Sequence, residues 1–274
     1  SILNQSYSNI ELIIVNDGSV DDSRKIIDEY SELDERIKKF HIDNSGPSFA
    51  RNLGIDTVTG EFIQFVDADD YVNENMIKEL ISTVNDQSDI VICGYKSEFS
   101  NRVELKILDY DFLDKDYILK KEFLDNFGVL FRDYYINYPW NKLYRTRIIK
   151  ENNIRFDNSL KWGEDLIFNL EYFKYCNAFS LVKKDLYVYN QNNVSSITSN
   201  YNKLFFENQS VMYDKTISVL DSELVYTDRN KEIINSRIAD VIIASLINLV
   251  HKKAKLSRNE MFYNIDKILK WEMT

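Results

Sequence analysis

From residue 10 to about residue 110, short β-branched runs alternate with helical periodicity, and this alternation narrows the fold more than any other feature. IELIIVN (10–16), IKKFHI (37–42), EFIQFVD (61–67) and DIVICGYKSEF (89–99) read as strands. Between them, DDSRKIIDEYSELD (21–34) has Ile26, Ile27, Tyr30 and Leu33 at helical spacing behind an acidic N-cap. NSGPSFARNLGIDTVTG (44–60) reads as a loop and then a helix with Pro47 in its first turn, and ENMIKELISTVN (74–85) as a third helix. Repeated βα units predict an α/β, three-layer sheet of mainly parallel strands with right-handed crossovers. Ligands in such sheets bind beyond the carboxyl ends of the strands, where NDGSVDD (16–22) and DADD (67–70) fall.

Past residue 110 helices dominate, over 115–127, 145–153 and 163–176, with a strand pair expected over 179–190. The stretch 201–271 is helical by periodicity, and NNVSSITSN (192–200) is the loop or hinge candidate. The expected division is a catalytic unit over 1–198 and a helical extension over 199–274. Ile238 to Val250, the longest apolar run, is broken by Asp240 and Asn248 and falls short of the ~20 residues of a membrane span. The chain opens SILNQSYSN, without a signal-peptide pattern and without Met, in what reads as the end of a helix, so a preceding segment is expected.

Composition excludes several functions. A net charge of −10 argues against a nucleic-acid partner and against an anionic membrane, unless a local basic patch intervenes. Two Cys, Cys93 and Cys176, make no disulfide framework and fit a reducing compartment such as the cytoplasm. With only His41 and His251, a multi-histidine zinc site is excluded, and any metal must be held by oxygens, as Mg²⁺ or Mn²⁺ are.

The carboxylates Asp67, Asp69 and Asp70 arrive together after a buried strand. Mutual repulsion there is relieved by a divalent cation, with Asp67 and Asp69 as the expected ligands. An acidic turn capping the following helix is the plain alternative. Asp17, Gly18 and Ser19 are placed to bond a nucleobase or ribose edge, while Asp21 or Asp22 caps a helix. The loop carrying Asn44 and Gly46 opens a helix whose N–H groups can face a diphosphate, with Arg51 one turn in. In GEDLIFN (163–169), Glu164 and Asp165 are either first-turn acids at a helix dipole or a general base with a neighbouring acid. In YPWNKLYRTR (138–147), Trp140 and Lys142 suit sugar and phosphate contacts, though aromatics are more often core. Trp162, beside Gly163, joins Trp140 as an acceptor candidate.

Taken in order, SILNQSYSNIELIIVNDGSVDDS, NSGPSFARNLGID, GEFIQFVDADDYV, WNKLY, GEDLIFN and YNQNNVSSIT resemble family 2 glycosyltransferases of the GT-A fold over residues 1–198. The resemblance implies transfer of a sugar, with inversion, from a nucleotide diphosphate (a UDP-sugar above all) to a glycan or lipid-linked acceptor. This would serve cell-surface polysaccharide or glycoconjugate synthesis at the inner membrane face. It places Asp17 on the base, Arg51 near the diphosphate, Asp67 and Asp69 on ribose and metal, and Asp165 as catalytic base. Peripheral membrane contact through the C-terminal helices is a further expectation. A metal-dependent nucleotidyltransferase, or a non-catalytic nucleotide- or carbohydrate-binding module, are the competing readings. Two departures stand out. The family's first strand and helix are absent, so the strand at 10–16 should show an open edge. Asn190 and Gln191 also stand where an Arg is common. Asp165 is expected to face Asp67 and Asp69 across room for one sugar ring.

Overall fold

The computed structural model describes residues 1–108, 110, 115, 117–160, 162–192, 201–223, 227–251 and 253–271. The expected 192–200 loop lies, beyond Asn192, outside them.

The first unit is a parallel pair, β1 (Leu12–Asp17) on β2 (Ile37–Ile42), linked through α1 (Ser23–Leu33). Helix α2 (Pro47–Thr57) follows and packs on β1. Among the described residues β1 pairs with β2 alone, so its other edge is open, as expected. Gly18 turns the chain at φ +70°, and a Cβ there would stand 2.7 Å from the Asn44 nitrogen. Only glycine lets the end of β1 lie this close to the loop before α2.

The larger sheet is built from β3 (Phe62–Gln64), β4 (Tyr71–Val72), β5 (Ile90–Phe99), β6 (Arg102–Lys106), β7 (Ile118–Leu119), β8 (Lys142–Arg145) and β9 (Ala178–Asn190). Its main path runs β3-β8-β5-β9-β4, with β6 on β5 and β7 on β9. The expectation of mainly parallel strands is corrected here. Among the described residues only β5–β9 is parallel in this sheet, and β8 returns between β3 and β5 and pairs antiparallel with both. The expected strand pair over 179–190 is the single long strand β9. Helices α3 (Met76–Thr83), α4 (Lys120–Asp125), α5 (Phe127–Arg132), α6 (Thr146–Glu151) and α7 (Glu164–Phe173) accompany this sheet. They are followed by α8 (Phe205–Ser222), α9 (Asp228–Leu249) and α10 (Arg258–Leu269).

Strand β5 changes partner at Gly94, from β8 before it to β6 after it, and its register on β9 shifts there. A Cβ at Gly94 would sit 2.5 Å from the Lys106 carbonyl oxygen and 2.9 Å from that of Lys184, so three strands pinch on a bare backbone.

Aromatic rings fill the core and fix the site. Phe156 and Phe168 stack at 4.0 Å, and Phe65, just past β3, meets both edge-on. That contact sets the end of β3 against the start of α7. Asn169, fully buried, accepts from Tyr144 Oη at 2.5 Å and donates to the Ile136 carbonyl at 2.9 Å. Both cysteines are buried, and burial pushes the Cys93 thiol up to about 12.

Candidate active site

The sequence-predicted residues fall into two groups joined by α2. At the carboxyl ends of β1 and β2, the Asp17 carboxylate accepts from Ser45 N at 2.6 Å and Gly46 N at 2.8 Å. Asp17 therefore shapes the loop that opens α2, and its bonding groups are turned to that backbone rather than outward. Ser19 N donates to Asn16 Oδ1, and Asn16 bonds His41, which reaches Asp28. His41 thus ties the end of β1 to α1.

Arg51, one turn into α2, reaches the second group. Its Nη1 donates to Asp165 Oδ1 at 2.8 Å and its Nη2 to Asp67 Oδ1 at 2.9 Å, with Glu164 Oε1 at 3.7 Å. One guanidinium thus meets three carboxylates from two elements. Burial works against its charge, but Asp165, Asp67 and Glu164 hold it protonated above the ordinary arginine range. Asp165 does face Asp67. However, the space expected to admit a sugar ring is bridged by Arg51, because three neighbouring carboxylates need a counter-ion when nothing else supplies one.

Helix α7 begins at Gly163, in the left-handed region at φ +82°, and carries Glu164 and Asp165 in its first turn. The positive end of the helix favours both anions. Burial nevertheless pushes the Asp165 carboxyl up to about 7; Arg51 pulls it down, while Glu164 and Asp67 push it further up. A carboxyl poised near neutrality can take a proton.

The DADD turn divides its labour. Asp70 is buried: Tyr187 Oη donates to its Oδ2 at 2.7 Å and Asn190 N to its Oδ1 at 2.8 Å. Tyr187 Oη also accepts from Asp67 N at 3.1 Å, and Asn190 Nδ2 donates to the Asp69 carbonyl at 3.1 Å. Strand β9 therefore clasps the whole turn. Burial drives the Asp70 carboxyl up to about 7, against those two bonds and with help from the charges of Asp67 and Asp69. Asn190, which stands where an Arg is common, is used here to hold this turn. Sequence reasoning passed over Asp70, Tyr187 and Asn190 as a unit. The available signal was a fourth-position Asp together with a Tyr-x-Tyr-Asn strand end.

Two expectations are corrected. Lys142 does not reach the donor side. It is fully buried, and its Nζ donates to the carbonyls of Tyr135 (2.8 Å) and Tyr138 (2.5 Å) and to Asn141 Oδ1 (2.7 Å), with burial lowering its pKa well below the ordinary range. Trp140 is core, stacked between Tyr187 at 4.2 Å and Tyr138 at 4.8 Å. An indole this large is stabilised more by ring contacts on both faces than at an open cleft. Trp162 is half-buried beside Phe205 of α8, at 5.3 Å between rings, and stays next to the Glu164–Asp165 turn.

No group of three or more His, Cys, Asp or Glu that could hold a metal occurs among the described residues. With Asp70 turned into β9, Asp67 and Asp69 are the carboxylates of this turn left to contribute to a metal site.

The arrangement can be set beside known proteins. The family model described as glycosyl transferase family 2 matches residues 1–152. The putative glycosyltransferase EpsH of Bacillus subtilis is 34% identical over 235 residues, covering 85% of this chain and 67% of that protein. The uncharacterized glycosyltransferase EpsJ of the same organism is 34% identical over 220 residues, covering 80% and 63%. This chain thus spans about two thirds or less of the length of these relatives. Among solved structures, Staphylococcus aureus TarS 1–349 in complex with UDP-GlcNAc superposes with a TM-score of 0.63 at 18% identity, over 97% of this chain and 84% of that one. That likeness concerns the fold. The family match takes in β1 and its turn, Arg51 and the DADD turn and ends just past α6, and the first relative extends the similarity over most of the remainder, so the chain belongs to glycosyl transferase family 2.

Proposed function

We propose that this chain is the sugar-transferring part of an inverting glycosyltransferase. It would take a nucleotide-diphosphate sugar as donor and an acceptor hydroxyl on a glycan or lipid-linked glycan, in cell-surface polysaccharide synthesis on the cytoplasmic side. The observation that carries this reading is the Arg51 bridge between Asp165 and Asp67, which joins a proton acceptor to the donor-side carboxylates through one cation. The printed names of the relatives support the reading, as does the nucleotide sugar held by TarS. Residues 1–198 would form the catalytic unit and 199–274 its extension.

The chain's own groups suggest the order of events. The loop at Ser45 and Gly46, held by Asp17, presents the start of α2 to the donor's nucleotide end. The donor diphosphate competes for Arg51 and draws it off Asp165. Without its cation, Asp165 becomes more basic and accepts the proton of the attacking hydroxyl, which enters opposite the leaving diphosphate. Glu164 stays beside it to orient hydroxyls. Asp67 and Asp69 offer the hard oxygens that Mg²⁺ or Mn²⁺ takes alongside substrate phosphates, so the residues fit such an ion. When bound, it would neutralise charge on the departing diphosphate.

Thermal-shift titration of nucleotide sugars, with and without Mn²⁺, tests the reading. A UDP-sugar should raise the melting temperature with Mn²⁺, and Asp69→Ala should abolish the Mn²⁺-dependent part. No shift with any nucleotide sugar, or an unchanged Mn²⁺ effect in Asp69→Ala, would refute it.

A further inference from the structure

The end of the molecule where α9 passes into α10 combines exposed aliphatic side chains with a run of basic residues. Ile243 and Ile247 on α9 and Val250 at its C-cap, at spacings of four and three, follow one face, and Ile247 and Val250 are 62% and 69% exposed. This face is turned away from Ile238, Ser245 and Leu249, which α9 buries. One turn into α10, Phe262 is 59% exposed with the Arg258 guanidinium 5.6 Å over its ring. Between the two helices the sequence reads HKKAKLSR (251–258), with four Lys or Arg and no acid. Over 251–270 there are six Lys or Arg against Glu260 and Asp266, in a chain of net charge −10.

Charge is therefore segregated against the trend of the whole protein, and it lies beside apolar side chains that the fold leaves uncovered. A solvated charged face would not need the isoleucines, and a nucleic acid would not use them. An anionic bilayer uses both, since headgroups attract the lysines while apolar side chains enter the acyl boundary. No helix among the described residues is long and apolar enough to cross a membrane, so the contact lies on the surface.

We propose that the α9–α10 tip, comprising Ile243, Ile247, Val250, Phe262 and the basic turn 251–258, docks this protein on an anionic lipid surface. The inference rests on this surface alone and does not depend on the proposed reaction.

Vesicle co-sedimentation tests it, with no nucleotide present. The chain should sediment with phosphatidylglycerol-containing vesicles at low salt, and not with pure phosphatidylcholine vesicles. Binding should fade towards 1 M salt, where screening shortens to ~3 Å. Replacing Lys252, Lys253 and Lys255 together by Gln should weaken binding by roughly a hundredfold. Ile247→Ser with Val250→Ser should weaken it with the basic run intact, and both variants should keep the native melting temperature, since Lys253, Lys255, Ile247 and Val250 are exposed. Three results would overturn the proposal: no binding to anionic vesicles, binding equal in both variants and the native chain, or a native dimer that Ile247→Ser splits. Equal retention on a soluble polyanion, insensitive to the Ile247 and Val250 changes, would overturn it too.

Discussion

Helix α1 lies on the two-stranded unit without burying one of its 11 residues, whereas α7 on the large sheet buries seven of its ten. Leu33, at the end of α1, is 84% exposed, and Ile26 and Tyr30 on the same face are about half exposed. The apolar spacing that predicted this helix is real, but the face it defines is bare. Around α7, by contrast, rings interlock and the buried Asn169 amide bonds Tyr144 and the Ile136 carbonyl. The proposed site draws from both regions. The Asp17 loop sits on the thinly covered unit, the carboxylates Asp67 and Asp165 sit on the dense one, and α2 carries Arg51 from the first to the second. Recognition of a flexible donor tolerates a soft support, whereas a proton-accepting carboxyl needs fixed neighbours. The contrast assigns the two tasks accordingly.

The largest effect should come from a hole in the dense region. Trp140→Ala removes an indole packed between two tyrosines and should cost about 3–5 kcal/mol, read as a fall in the denaturation midpoint. A loss below about 1 kcal/mol would erase the contrast. Next is Asp165→Asn, which should cut transfer by ~10² or more while nucleotide binding persists. In the native chain, kcat/KM should rise with pH through about 7 as that carboxyl ionises in the free protein. A flat profile from pH 5 to 9 would remove it as the base.

Asp70→Asn is subtler. Its carboxyl sits at about 7 against an ordinary 3.8, so the folded state prefers it protonated. The stability this group contributes is complete below about pH 4 and is lost as pH rises to about 7. Asn keeps the shape without the charge. The variant should therefore lose part of the decline in melting temperature between pH 4 and 7, and match or exceed the native chain above pH 7. An unchanged pH slope would show that Asp70 is ionised at no cost. Smallest of all, Leu33→Ala should change stability by less than about 0.5 kcal/mol, because little of the side chain is covered. A loss of about 2 kcal/mol would mean that α1 has a partner in solution.

Long, strongly patterned elements were legible in the sequence. The 37–42 strand is β2 as read, and the helices at 21–34, 74–85 and 163–176 appear, shortened at their ends. The short strands β4, β6, β7 and β8 were not legible, because strands of two to five residues owe their existence to a partner rather than to their own pattern. Lys142 and Trp140 show the same limit at the site. A lysine in a sequence reads as a surface charge, and only the fold reveals three oxygens around a buried ammonium. Asp67, Asp165 and Arg51 were legible as candidates from their place at strand and helix ends. Their shared ion bridge was not, since it joins positions 114 residues apart.

The two cysteines give the molecule an unusual chemical silence. Thiols react as thiolates, and burial keeps Cys93 and Cys176 protonated and out of contact with solvent. Maleimides and mild oxidants should therefore pass the folded chain by and find these sulfurs only as it opens. Alkylation rate becomes a clock for opening of the large sheet, since Cys93 lies on β5 and Cys176 just before β9. A single cysteine placed at exposed Val20, on the other unit, would react against almost no background and time that region separately.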